Sequence, residues 1–194
     1  MTRFAALLFV VVAISGCLAD SPPPVSKVAD GGSVDDAQVD RLLTLMQQRL
    51  AVMHDVAKWK WNEKKAIADP AREQELLDRL VKSSKEHDVD ADFARAFFTA
   101  QMTAAKAIQQ ADFDRWEATN QEPFDDAPDL VTELRPRITQ ISDELLDALA
   151  AVEGHRNDVV FQRAVESRAT DLIGGEGVTA TIRATVIGSL VQMD

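Results

Sequence analysis

The sequence predicts an all-α protein, a single-domain bundle of about six helices. From Asp36 onward, apolar residues recur every three to four positions, which is the period of an amphipathic helix. No alternating stretch is long enough to indicate a strand, and the 194 residues include only 8 Gly and no Tyr. Hydrophobic residues make up 46% of the chain, which is enough material for one core.

Proline, glycine and capping residues divide the periodic region into helices. Pro70 suits a helix start, and Asp90 can accept hydrogen bonds from the first turn of the helix that follows it. Pro136 either kinks the fourth helix or marks its start. Gly154 is expected to end that helix, and Gly174-Gly175 the fifth. The predicted helices span 36–64, 71–87, 91–118, 129–152, 156–172 and 178–191.

The first seventeen residues have the pattern of an export signal. The apolar run 4–14 is too short to span a bilayer but long enough for the hydrophobic part of a signal peptide. It ends in Ser15-Gly16-Cys17, which resembles a bacterial lipobox, in which Cys17 would carry the lipid. An ordinary signal peptide cleaved nearby, for instance after Ala19, is the alternative.

Residues 18–35 are rich in Pro, Ser, Gly and Asp, and we expect them to form a flexible tether. The expected organisation is a signal over 1–17, a linker over 18–35 and a helical domain over 36–194. The protein is therefore expected to be exported. Leu18 rather than Asp follows Cys17, which favours a lipid anchor in the outer membrane if that cysteine is acylated.

Composition excludes several kinds of site. The formal net charge is −11, from 21 basic and 32 acidic residues, which argues against a nucleic-acid surface. A single cysteine excludes an internal disulfide and a cysteine-rich zinc site. His54, His87 and His155 lack the spacing of a zinc hydrolase, and no glycine-rich nucleotide motif is present. We therefore expect no metal and no cofactor.

Two cations fall on an apolar helix face. Arg49 and Lys60 are eleven residues apart, so they differ by only about 20° around a helix and lie about 16 Å apart along it. Met53 and Val56 lie between them on that face. A buried cation is costly unless it is paired, so this face needs an anion. The alternative is that both side chains reach solvent or pair with some of the many acidic residues.

A buried amide is expected on another helix. Gln109 shares a helix face with Phe98, Met102 and Ala105. An amide in an apolar pocket can donate and accept hydrogen bonds. The alternative is a glutamine whose bonds are all satisfied within the core.

Three segments combine these outliers in a specific order. The first is Arg49-Leu50 followed by Val56-Ala57-Lys58-Trp59-Lys60-Trp61, the second is Ile67-Ala68-Asp69-Pro70-Ala71-Arg72-Glu73, and the third runs from Phe97-Phe98 through Gln109 to Trp116. Their combined spacing resembles the all-helical chorismate mutases, and more closely the exported subclass of the bacterial periplasm. The resemblance covers about residues 36–150. The last forty residues share mainly their helical character.

The resemblance implies the Claisen rearrangement of chorismate to prephenate. This one-step intramolecular reaction needs no nucleophile, redox cofactor or metal. The substrate is a dicarboxylate, so cations must bind it, and its reacting ends must be held in a compact chair-like arrangement. Negative charge grows on the ether oxygen as its bond breaks, and donors fixed there favour the transition state.

The resemblance also implies the catalytic residues. Arg49 would bind a substrate carboxylate. Lys60 would reach both a carboxylate and the ether oxygen. Gln109 would be the second donor to that oxygen.

Five further residues would bind substrate. Arg135 and Arg72 would contact carboxylates, while Glu73 and the backbone near Asp69 would hold the hydroxyl. Taken alone, Arg72 and Glu73 indicate only helix capping and an ion pair. Ala105 stands where relatives often have a polar residue, so one hydrogen bond to a carboxylate is expected to be missing.

The resemblance implies one site per chain, with a later helix supplying the arginine, and it leaves a homodimer open. The expected function is that of a periplasmic chorismate mutase with chorismate as its small-molecule partner. The first alternative is a non-catalytic helical lipoprotein that binds a small dicarboxylate or a partner protein. The second is a structural helical lipoprotein whose core cations only pair with acids.

Overall fold

A computed structural model describes residues 35–191. The predicted signal peptide with Cys17, and all of the predicted linker except its last residue, lie outside the described residues. Within them the all-α prediction is confirmed, with six α-helices and no strand. The helices are α1 (Asp36–Asn62), α2 (Pro70–Ser84), α3 (Ala91–Thr119), α4 (Arg135–Val152), α5 (Val159–Leu172) and α6 (Ala180–Ile187).

Short polar side chains fix the helix starts. Asp35 caps α1, and the Gln38 side chain accepts a hydrogen bond from the Asp35 backbone N–H. Asp69 and Asp90 accept hydrogen bonds from the first turns of α2 and α3. Each of these side chains satisfies a backbone N–H that has no partner within the helix, which stabilises the helix by about 1 kcal/mol.

The predicted helix boundaries differ most from the structure where the chain forms a 3₁₀ or π turn in place of a predicted α-helical turn. The expected last turn of α2 is a 3₁₀ turn over Lys85–His87. The expected first turn of α4 is a π turn over Leu130–Leu134. Pro136 lies in the first turn of α4, where its missing N–H costs nothing, so it marks a helix start and not a kink.

The start of α5 and both ends of α6 were also predicted wrongly, whereas α5 ends at Leu172 as predicted. A 3₁₀ turn over Glu153–His155 contains Gly154, and α5 begins three residues later than expected. The final helix, α6, is shorter than expected at both ends. Helix periodicity does not distinguish α, 3₁₀ and π turns, which explains these errors.

The central helix of the bundle is α1, which packs against α3, α4 and α5, while α3 also packs against α2 and α6. The largest fully buried side chains include Phe97, Phe98 and Phe161. Burying such a side chain contributes about 1.5–3 kcal/mol. Among residues 35–191, none of the helices has both the length and the apolar character needed to cross a membrane. The packing holds α1, α2, α3 and the start of α4 around one cavity.

Candidate active site

A cavity of about 200 Å³ lies between α1, α2, α3 and the start of α4. We call it the central cavity. All eight residues predicted from the sequence line it, namely Arg49, Lys60, Asp69, Arg72, Glu73, Ala105, Gln109 and Arg135. Arg79 and Lys106 also line it and were not predicted. The apolar part of the wall comes from Met53, Val56, Ile67, Leu76, Met102, Leu130 and Ile138.

Arg49 is a buried cation with little compensation. Its side chain is on α1, and the residue is only 2% exposed. One terminal nitrogen donates to the Gln101 carbonyl at 3.3 Å, while Nε has no partner. Burial lowers the pKa of Arg49 to about 10. Since arginine stays protonated in proteins, the lowered pKa reflects the cost of burying this charge, which an arriving anion would offset.

Lys60 lies in the last turn of α1, at the other end of the cavity face. Its Nζ donates to the Ile67 carbonyl at 2.6 Å. Burial lowers the pKa of Lys60, while the nearby carboxylates of Glu73 and Asp69 oppose this effect. Lys60 makes no ion pair within residues 35–191. Its ammonium group therefore has capacity for a ligand.

The start of α2 brings a carboxylate to the cavity. The Asp69 side chain accepts from the Arg72 backbone N–H at 3.1 Å, and the Asp69 N–H donates to Glu73 Oε1 at 3.2 Å. Lys106 Nζ donates to Glu73 Oε2 at 2.6 Å. Burial alone would raise the pKa of Glu73, but the bonds from Lys106 and Asp69 and the charge of Lys60 together lower it. Glu73 is therefore a fixed, ionised hydrogen-bond acceptor.

Gln109 places its amide between α3 and α1. The residue is 4% exposed. Its Nε2 donates to the Ala105 carbonyl at 3.1 Å and lies 3.6 Å from Met53 Sδ. Its Oε1 is buried without a partner. A buried polar atom without a partner costs about 1–3 kcal/mol, and this oxygen remains available to a hydrogen-bond donor.

Ala105 lies one turn before Gln109 on α3 and is 5% exposed. Its methyl group adds apolar surface to the cavity wall. It offers no side-chain donor there.

Three arginines surround the mouth of the central cavity. Arg72, Arg79 and Arg135 are exposed, and they also line a shallow groove beside it. Arg72 pairs with Glu75 at 3.0 Å. Arg79 and Arg135 make no ion pair within the described part of the chain. Arg137, close to Arg135 in sequence, does not line the cavity.

The central cavity is therefore positive although the chain is acidic. Its wall holds six cationic side chains against the two carboxylates of Asp69 and Glu73. The lining includes no Ser, Cys or His, and Thr139 supplies a hydroxyl group. Within residues 35–191, no cluster of His, Cys, Asp or Glu could hold a metal ion. The arrangement suits binding a small dianion and stabilising negative charge by fixed donors.

Sequence reasoning missed Arg79 and Lys106 for different reasons. Arg79 lies seven residues after Arg72, so extending the Arg72 face of α2 by two turns would have found it. Lys106 follows Ala105 directly. Its place in the wall depends on how α2 packs on α3, which helix periodicity does not reveal.

Comparisons with known proteins agree on one family. A family model described as chorismate mutase type II matches residues 36–110. A chorismate mutase from Methanocaldococcus jannaschii is 31% identical over 86 residues, which are 44% of this chain and 87% of that protein. The secreted chorismate mutase of Mycolicibacterium smegmatis is 28% identical over 119 residues. That match covers 61% of this chain and 65%, just under two thirds, of the relative.

This chain resembles a solved structure over nearly the whole length of that structure. The crystal structure of chorismate mutase from Burkholderia thailandensis superposes with a TM-score of 0.70 at 33% sequence identity. The match covers 79% of this chain and 99% of that one.

Proposed function

Because the chain belongs to the type II chorismate mutases, we propose that it converts chorismate to prephenate in the central cavity. The observation that carries the proposal is the convergence of Arg49, Lys60 and Gln109 on this cavity. Each has unsatisfied polar capacity there. A dicarboxylate whose ether oxygen gains negative charge would use the donors of Arg49 and Lys60 directly, and the Nε2 donor of Gln109 once its amide turns from the Ala105 carbonyl.

Cations at opposite ends of the cavity would bind the two carboxylates. The buried guanidinium of Arg49 would bind one carboxylate. Lys60, at the other end of the same helix face, would reach both a carboxylate and the ether oxygen. Arg135 and Arg72, at the mouth, would take the second. Attraction is strongest where water is excluded, so Arg49 would contribute most per contact. Ala105 supplies no donor, so one carboxylate would be held less tightly than in relatives with a polar residue there.

Lys60 and Gln109 would stabilise the charge that develops during the reaction. The ether C–O bond breaks while a C–C bond forms within the same molecule, so no proton or electron passes to the protein. Lys60 Nζ and Gln109 Nε2 would both donate to the ether oxygen, and Gln109 would turn from the Ala105 carbonyl to do so. Donors held in place before the reaction favour the transition state over the substrate.

Glu73 would fix the ring of the substrate. Its carboxylate would accept a hydrogen bond from the substrate hydroxyl, with the Asp69 N–H holding the carboxylate in position. This contact would set the ring orientation so that the reacting ends meet.

An absorbance assay tests the proposal. Loss of chorismate absorbance is followed with purified protein and no added metal or cofactor. We expect acceleration over buffer, and about 10²-fold or greater losses for Lys60→Ala and Gln109→Ala. Tight chorismate binding without turnover, seen as a rise in melting temperature, would favour the non-catalytic alternative and refute the catalytic one.

We also propose that the protein is exported to the periplasm, with residues 1–17 as signal and Cys17 as lipid anchor. The apolar run 4–14 and the secreted relative support export. Labelling cells with a radioactive fatty acid tests the anchor. Wild type should be labelled and Cys17→Ser unlabelled; equal labelling of both, or of neither, contradicts it.

A further inference from the structure

Lys106 contacts a proposed substrate-binding residue without a role of its own in the proposed chemistry. It joins α3 to the start of α2 through its 2.6 Å pair with Glu73 Oε2. The other oxygen, Oε1, accepts from the Asp69 N–H at 3.2 Å. The Glu73 carboxylate is therefore held by Lys106 from α3 and by the backbone at the start of its own helix, and a carboxylate has lone pairs left for one more donor.

A second cation competes for Glu73. Lys60 is close enough for its charge to lower the pKa of Glu73, and Glu73 in turn raises the pKa of Lys60. Yet Lys60 Nζ bonds to the Ile67 carbonyl and not to Glu73. If Glu73 lost Lys106, its carboxylate would gain most by turning to Lys60, a partly buried cation that makes no ion pair within the described residues.

We infer that Lys106 is a positioning residue that holds Glu73 away from Lys60. Lys60 thereby keeps its ammonium group free for the substrate, and Glu73 keeps a lone pair for the substrate hydroxyl. This inference rests on the proposed function and deepens it.

The charged groups around Glu73 leave it two nearby lysine partners, Lys106 and Lys60. Lys60 faces it from α1, Lys106 from α3, and Asp69 and Arg72 lie beside it at the start of α2. Arg72 is engaged with Glu75. Lys106 is thus the one cation that forms an ion pair with Glu73 within the described residues, and its loss leaves Lys60 as the remaining strong partner.

A double-variant experiment tests the inference through activity. Lys106→Met should lower kcat/KM on the order of 10²-fold, since Lys60 and Glu73 are both misplaced. Lys106→Arg should restore most of the loss. In a Glu73→Gln background, Lys106→Met should change kcat/KM by less than about threefold, because no carboxylate remains to capture Lys60. Equal losses in both backgrounds would overturn the inference, as would full activity of Lys106→Met.

Lys58→Met is the matched control. Lys58 forms a lysine–aspartate pair with Asp126 at 3.0 Å, away from the central cavity. This variant should keep wild-type kcat and KM. A loss equal to that of Lys106→Met would show that any broken ion pair has the same effect, and would contradict the inference.

NMR separates failure of the inference from failure of the proposed function. In protein with carbon-13-labelled lysine, the pH at which Lys60 titrates should rise in Lys106→Met, because Glu73 pairs with Lys60; loss of the nearby Lys106 charge adds only a smaller rise, which remains in a Glu73→Gln background. The rise should be largely lost when Glu73→Gln is added. This readout needs no turnover. An unchanged Lys60 titration would overturn the inference even in an active enzyme, whereas an inactive wild type with the expected titrations would refute only the proposed function.

Discussion

The substitution Arg49→Met should make the protein more stable and much less active. Arg49 is buried on α1, and its pKa falls to about 10 because it loses contact with water. It has no ion-pair partner within residues 35–191, and its Nε makes no hydrogen bond. A methionine side chain would occupy much of the same space along the cavity wall and carries no charge.

The magnitude follows from the pKa. Burial lowers the pKa of Arg49 from its ordinary value to about 10, and each pKa unit corresponds to about 1.4 kcal/mol. Burying the guanidinium therefore costs roughly 3 kcal/mol. Its hydrogen bond to the Gln101 carbonyl, which is long at 3.3 Å, returns about 1.5 kcal/mol. Arg49→Met should thus raise the free energy of unfolding by about 1–2 kcal/mol, or the melting temperature by roughly 2–8 °C for a domain of this size.

Calorimetry and the chorismate assay together test this prediction. The kcat/KM of Arg49→Met should fall on the order of 10²-fold, because a substrate carboxylate loses its buried partner. Arg41→Met is the control, since Arg41 is exposed on the same helix and should change stability by less than about 0.5 kcal/mol. If Arg49→Met were less stable than wild type by 1 kcal/mol or more, Arg49 would be a structural residue, and the reasoning would be refuted.

Three further predictions concern other residues. Gln109→Glu should shift activity to low pH, where the protonated carboxyl can donate to the ether oxygen; an unchanged pH profile would contradict that role. Arg79→Gln should lower kcat/KM with little change in kcat, and should flatten the fall of kcat/KM with salt, because Arg79 attracts the dianion at the cavity mouth; an unaltered salt dependence would count against it. The third concerns stability. The hydrogen bond from His54 to Asp112 at 2.6 Å, opposed by burial, raises the pKa of His54 above 6.5. Its stabilising effect is complete below pH 6.5 and is lost as pH rises through the higher folded value. Denaturant titrations should therefore show that His54→Gln costs more stability in mild acid than in alkali, and an equal cost at both would contradict this.

Much of the fold followed from local chemistry. Apolar spacing, Pro70 and the cap at Asp90 predicted the number of helices and the starts of α1, α2 and α3 to within one residue. The errors came where backbone turns other than α depend on packing, as in the π turn before Arg135. Pro136 allowed two interpretations, and the choice between them depended on where the preceding loop places the chain.

The site was partly readable from the residues themselves. Helical geometry put Arg49 and Lys60 on one face and identified Gln109 as a polar outlier. Arg135 and the hydroxyl-binding role of Glu73 came only from the resemblance, since neither residue stands out on its own helix. Lys106 required the tertiary structure, because the orientation of α2 on α3 decides whether its side chain meets Glu73.

The most direct test of the central claim is proton NMR of chorismate incubated with the purified wild-type protein and a chelator. We predict that prephenate resonances replace those of chorismate faster than in buffer, with no other product, and that Lys60→Ala removes most of the acceleration. Conversion at the buffer rate by folded wild-type protein would contradict the claim.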